Sequence, residues 1–381
     1  LSNEQGNHGE DAKDYWFYTD NLPSHAYASM IYKYPLVAFP YDDLLHTNQS
    51  RGQDQPEYEL FDALESDWRA NRYAEVLVEY AKNTPEDILC RVTVTNRSEE
   101  TATVHLALQA WFRNTWTWNE NVVKPALRAD GPHSMVVEHP TLGMRHVSFS
   151  QGGSLVFCEN ETNNELLFDS PNENATTKDG VERYILQRDT SAIDPKSGTK
   201  GAAVYAMTLG AGQSATFSWR FSEDVISDPF ADLDHIFSDR QREADTFYGE
   251  LHTPIHDDAA IVERQALAGL LWCKQFYNYD VRLWLHGDPT QPVPPKERWQ
   301  GRNHRWQQIR NSDVILMPDA WEYPWYVTWD WAFHCVSMAL IDIEFAKEQL
   351  RIMTSPRYQH PHGQIPAYEW NFSDTNPPVQ A

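Results

Sequence analysis

The chain has few cysteines, little basic charge and no long apolar run, and each shortage excludes something. Only four of its 381 residues are cysteine: Cys90, Cys158, Cys273 and Cys335. They lie far apart, each inside an apolar stretch, so the paired spacing of a metal site is missing and they read as small core residues. Reduced thiols in a cytoplasm are the expectation, with no metal and no cofactor. No apolar run approaches the roughly 20 residues that span a bilayer. Lys and Arg number 31 against 55 Asp and Glu, a net charge of −24. Such a balance argues against nucleic acid and anionic membrane surfaces, whose phosphates call for clustered basic residues. Neutral partners such as sugars fit better. The sequons Asn160-Glu161-Thr162 and Asn174-Ala175-Thr176 are three-residue matches of the kind chance supplies. A starting Met and a charged-then-apolar leader are also missing, and the last residues, Pro377 to Ala381, follow directly on a motif. The chain therefore reads as an internal fragment of a longer protein, with room for two or three domains.

Aromatic residues are plentiful: 15 Trp, 18 Tyr and 16 Phe. They gather most densely between Pro318 and Asp374. The stretch opens on Trp321-Glu322-Tyr323-Pro324-Trp325-Tyr326-Val327-Thr328-Trp329-Asp330-Trp331 and closes on Gly363-Gln364-Ile365-Pro366-Ala367-Tyr368-Glu369-Trp370-Asn371-Phe372-Ser373-Asp374. Each aromatic cluster holds a carboxylate. Flat rings offer apolar faces to sugars, and carboxylates supply the acid and base of glycoside cleavage. A single ring can equally well fill a core. Asp330, set between two Trp residues, is harder to explain that way, because an unpaired buried carboxylate is costly.

Read in order, residues 1 to about 70 are polar and aromatic with few clean periods. His8, Glu10 and Asp11 are metal-ligand types, but their surroundings read as a solvated loop. Tyr15 to Tyr18 and Tyr32 to Pro40 read as strands. Alternation predicts strands over Ile88 to Thr95 and Thr103 to Phe112, joined as a hairpin by Asn96 to Glu100. Further short strands are expected at Met135 to Glu138, Arg145 to Ser150, Ser154 to Glu159, Glu165 to Phe168, Ala202 to Leu209 and Ser214 to Phe221. Gly210 to Gln213 forms a turn between the last two. Repeated short strands suggest a large antiparallel sandwich. The period changes near Glu223. Phe230 to Leu251 reads as a connecting helix, and Ala259 to Tyr277 as an amphipathic helix. Gly287 to Ser312 is too long for an ordinary connection and reads as a functional loop. Ala332 to Met353 completes the helical series.

The segments Glu263 to Tyr277, Tyr279-Asp280-Val281 and Gly301-Arg302-Asn303-His304, with Trp329-Asp330 and the Gly363-to-Asp374 motif, resemble glycoside hydrolase family 63. The likeness is to its bacterial members related to processing α-glucosidase and to mannosylglycerate hydrolase-like enzymes, and it extends to Leu1 to Asp11 and Tyr41 to Leu44. The resemblance implies an N-terminal super-β-sandwich followed by an (α/α)6 barrel. The corresponding division is a sandwich over 1–225, a linker helix over 226–254 and the first part of the barrel over 255–381. It implies inverting hydrolysis of α-glycosidic bonds with Asp330 as general acid, and a Glu base downstream of this chain, so the fragment alone is expected to be inert.

Inversion needs an acid and a base about 6.5–9.5 Å apart, and an apolar surround keeps an acid protonated near neutral pH. Trp329 and Trp331 are placed to supply one. Asp330 is therefore expected at a helix N-terminus, facing a cleft with Trp329 or Trp325 and Glu369. Glu369 reads as a ligand for sugar hydroxyls; Trp325, Trp329 and Trp370 as subsite walls or core. Gln364 and Asn371 read as hydroxyl ligands or loop caps, and His334, one turn after Asp330, as a hydrogen-bonding neighbour. Two other functions remain open: a non-catalytic carbohydrate-binding protein and a glycoside phosphorylase.

Overall fold

A computed structural model describes residues 15–118, 122–251, 257–319 and 324–379; the candidates His8, Glu10 and Asp11 lie outside them. Nine strands form one antiparallel sheet, in the spatial order Tyr15–Asn21, Tyr27–Pro35, Tyr73–Thr84, Asp87–Asn96, Ser214–Ser222, Gly143–Phe149, Ser134–His139, Ala126–Gly131 and Ser197–Gly198. A second sheet has Lys200–Leu209 between Ala102–Trp111 and Ser154–Cys158. The chain divides into two compact units. One comprises Leu1–Leu77, Glu243–His286 and Pro294–Ala381; the other comprises Val78–Arg242 and Gly287–Val293.

In the second unit the two sheets face each other. The Tyr205 ring lies 4.3 Å from that of Phe217, one from each sheet, and the Tyr205 hydroxyl donates to the Ser150 carbonyl at 2.6 Å. A Cβ on Gly201 would come within 2.9 Å of the Phe157 ring on the neighbouring strand and 3.0 Å of Met135 from the other sheet, so the position is closely packed. The alternation that predicted strands is visible in burial: Cys90, Val92 and Val94 are almost wholly inside, while Arg91 and Thr93 between them keep some exposure. Arg220, 3% exposed and on an interior strand, donates to both Asp87 oxygens, to Asp232 at 2.7 Å and to the Pro229 carbonyl at 2.9 Å.

The pairings differ from the expected ones. Ile88–Thr95 and Thr103–Phe112 are not a hairpin: Asp87–Asn96 pairs with Ser214–Ser222, and Ala102–Trp111 pairs with Lys200–Leu209 in the other sheet. Both the 96–100 turn and the Gly210–Gln213 turn carry the chain across the sandwich. Asn96 secures the crossing, its side-chain amide donating to the carbonyls of Glu100, Leu209 and Gly210. Glu165 to Phe168 is helix instead of strand (Asn164–Phe168), because the Asn163 side chain accepts from the Leu166 N–H and caps it.

In the first unit, strand Tyr15–Asn21 lies on helix Asp257–Trp272. Tyr18 stacks on Trp272 at 5.4 Å, and Arg264 pairs with buried Asp20 and with Asp245 at 2.8 Å. The helix expected to reach Tyr277 stops at Trp272. Lys274–Asp280 then pairs as a strand with Arg310–Leu316, which lies partly inside the expected long loop. The helix expected over Ala332 to Met353 is two, Thr328–Met338 and Ile343–Met353. The break falls at Asp342, whose carboxylate accepts from the Phe345 N–H at 3.0 Å. Four helices follow Asp257 among the described residues, and they close no barrel. None of the described helices is long and apolar enough to cross a membrane. All four cysteines are buried and unpaired.

Candidate functional site

Tyr326 is the hub of the first unit's core. It is 1% exposed, stacked on Tyr277 at 5.2 Å, with Trp331 and Phe372 edge-on at 5.9 and 5.8 Å. Each such ring contributes about 2–3 kcal/mol by leaving water. Trp331 is therefore core: its indole N–H donates to Gln349 at 2.7 Å. Trp325, Trp329 and Trp370 are different, each retaining exposure, and Trp370 is 43% exposed.

The two aromatic clusters meet through their backbones. Val327 and Tyr368 form an antiparallel bridge, the Thr328 N–H donates to the Ala367 carbonyl at 2.9 Å, and the Glu369 N–H donates to the Tyr326 carbonyl at 3.0 Å. The Thr328 hydroxyl is buried and donates to the Pro366 carbonyl. This clasp sits at the start of helix Thr328–Met338, so the Gly363-to-Asp374 segment returns to the helix end that bears Asp330. The Trp329 ring lies 5.7 Å from Tyr368, and Trp325 stands edge-on to Trp370 at 5.9 Å.

Asp330 occupies the helix's first turn. The positive end of a helix lowers a carboxylate pKa, yet burial dominates here and raises it, with His334 pulling partly the other way. No hydrogen bond joins Asp330 to His334, contrary to expectation, although the two interact electrostatically across one turn. The His334 Nδ1 is buried without a partner. Burial lowers the His334 pKa, offset by Asp330 and by a hydrogen bond with the Met317 backbone.

Glu369 is also raised by burial, partly offset by the Tyr326 N–H at 3.2 Å and by Arg302. The Tyr277 hydroxyl is buried nearby and favours the carboxylate, without forming a full hydrogen bond. Arg302 places its guanidinium 4.4 Å from the Trp370 ring and 5.4 Å from Trp284.

Asn303 is the residue sequence reasoning missed as a positioner. Its side chain donates to the Glu369 carbonyl at 2.5 Å and accepts from the Phe372 N–H at 2.9 Å, at a left-handed φ of 61°. Asn tolerates that conformation better than most residues. The signal was the Gly301-Arg302-Asn303-His304 motif, noticed for its family likeness and not for a turn. Gln364 and Asn371 are exposed and bond locally: Asn371 accepts from the Ser373 N–H at 3.2 Å, and Gln364 donates to the Ser373 carbonyl at 3.5 Å. No cluster of three or more metal-ligand side chains occurs among the described residues.

No family model matches the chain, so the likeness to glycoside hydrolase family 63 rests on its motifs alone. The chain is similar to an uncharacterized protein of Saccharomyces cerevisiae, YMR196W. The two are 39% identical over 429 residues, covering 100% of this chain and 39% of that protein. The chain thus spans well under half the length of the curated relative it matches. Among solved structures it is distantly similar to the family GH92 alpha-mannosidase BT3965 from Bacteroides thetaiotaomicron. There the TM-score is 0.29 at 10% identity, covering 78% of this chain and 36% of that one. A polysaccharide lyase, BACCELL_00875, gives 0.26 at 12% identity, covering 44% and 22%.

Proposed function

We propose that the protein to which this chain belongs is an inverting α-glycoside hydrolase, α-glucosidase-like, acting on an oligosaccharide or small glycoside. Asp330 is its general acid. One observation carries the reading: a carboxylate in the first turn of a helix, between Trp329 and buried Trp331, whose pKa burial has raised. A carboxyl kept protonated toward neutral pH can donate to a leaving glycosidic oxygen. In this reading Trp325, Trp329 and Trp370 line the sugar subsite, and Glu369 takes a sugar hydroxyl. Gln364 and Asn371 border the subsite, and His334 tunes Asp330. No cofactor is needed, the partner is carbohydrate, and the compartment is a reducing cytoplasm.

The modules proposed are a sandwich over 1–225, a linker helix over 226–254 and the opening of an (α/α)6 barrel over 255–381, as in glycoside hydrolase family 63. The compact units cut across these modules, since strands Tyr15–Asn21 and Tyr27–Pro35 fall in the same unit as the helical part. The base is assigned outside this chain, so the fragment alone is expected to be inactive. Assaying the chain and its full-length parent on α-glucosides and α-mannosides tests both statements. Turnover by the chain alone, abolished by Asp330→Asn, would mean that a base is already present, with Glu369 the first candidate.

A further inference from the structure

The second unit carries a cleft that the proposed site does not use. It encloses about 450 Å³, within the range of roughly 300–1,000 Å³ usual for small-molecule sites. Its floor is the outer face of strands Ser134–His139 and Gly143–Phe149, and the segment Val225–Phe230 forms a wall. Asp130, His133, Ser134, His146, Ser148 and Asp228 all line it. None of these six side chains makes a hydrogen bond or ion pair with another described residue. That is a local peculiarity. Cross-strand hydroxyl pairs elsewhere on the sandwich, Thr93 with Thr216 and Thr95 with Ser214, bond to each other at 3.0 and 2.8 Å. Ser134 and Ser148 are also direct cross-strand partners, yet their hydroxyls stay unspent.

A cleft holding two imidazoles, two carboxylates and two free hydroxyls offers both donors and acceptors, and with no Lys or Arg in its lining it disfavours an anionic ligand. Phe230, Pro132 and Pro229 add apolar surface. That combination suits a neutral polyhydroxylated ring, which presents alternating hydroxyls and an apolar face. We propose that this cleft is a second carbohydrate-binding site, separate from Asp330, for a neutral mono- or disaccharide. The choice of a sugar rests on the function proposed above; the existence of the site rests on its own geometry.

Saturation-transfer NMR on this chain, with maltose and methyl α-D-mannopyranoside as probes, tests it. Transfer to at least one probe is expected, and it should persist in Trp370→Ala. His146→Ala and Asp228→Ala should each weaken binding about fivefold to tenfold, the effect of one lost hydrogen bond. In the Trp370→Ala background, which removes a wall of the other proposed sugar subsite, Ser148→Trp, which fills the cleft from its half-exposed strand face, should abolish it. Circular dichroism confirms that each variant is folded; if Ser148→Trp is not, the two alanine variants decide. No transfer from the unmodified chain overturns the proposal, as does transfer lost in Trp370→Ala but kept in His146→Ala and Asp228→Ala. Failure of Asp330 as an acid would leave these outcomes unchanged, so the two readings fail separately.

Discussion

Replacing Asn303 should loosen the segment that carries Glu369, by an amount the contacts allow to be worked out. The side chain joins the Glu369 carbonyl to the Phe372 N–H, and Asn303 is 6% exposed. Losing it leaves two backbone groups short of partners in a largely buried setting, at about 1–3 kcal/mol each. Water entering the space would recover part of that, so a net loss of about 2–4 kcal/mol is expected for Asn303→Gly. Asn303→Ala adds the cost of a Cβ at φ 61°, roughly 1 kcal/mol. Asn303→Asp keeps the acceptor for Phe372 but sets a carboxylate against the Glu369 carbonyl, and should be no better than Gly. Urea unfolding of the four proteins, followed by Trp fluorescence, gives the series. If Asn303→Gly matches the parent in stability, the clasp is not held by Asn303 and the reasoning fails.

Arg220→Met should cost about 3–5 kcal/mol, because it leaves buried Asp87 without its counter-charge; a denaturation midpoint unchanged from the parent would contradict this. The pH dependence of Asp330 and Glu369 has a definite sign. Both pKa values are raised on folding, so the folded state favours the protonated form, and stability falls as pH rises from the ordinary values of 3.8 and 4.5 through the folded ones. Asp330→Asn and Glu369→Gln should therefore raise the melting temperature at pH 7, with the gain vanishing toward pH 4. A gain that grows on acidification would refute the raised pKa values. His334 acts in the opposite window. Its folded pKa is lowered, so its contribution is full above 6.5 and is lost as pH falls from 6.5 through the folded value; His334→Gln should flatten the stability curve there.

Much of the sandwich was legible because one buried face leaves a period of two, as Cys90, Val92 and Val94 illustrate. Alternation says which side chains face inward but not which strand lies alongside, which is why two adjacent runs were paired as a hairpin and proved to lie in different sheets. Short apolar runs were ambiguous for the same local reason. Leu166, Leu167 and Phe168 suit a strand as well as a turn of helix, and the Asn163 cap decided it. Asp342 was an equally readable cap, passed over inside a longer apolar pattern. At the candidate site, Asp330 is at its expected helix start and the second cluster returns to it. Sequence offered no sign that Thr328, Asn303 and the backbone bridge make that return, because contacts between segments distant along the chain leave no local period.

The most direct test of the central claim uses the full-length parent. Hydrolysis of α-glucosides and α-mannosides is followed by ¹H NMR of the first-formed anomer, with and without Asp330→Asn. The account predicts a product of inverted configuration and a fall in kcat of about 10²–10⁴-fold in the variant. Undiminished hydrolysis by Asp330→Asn would contradict it.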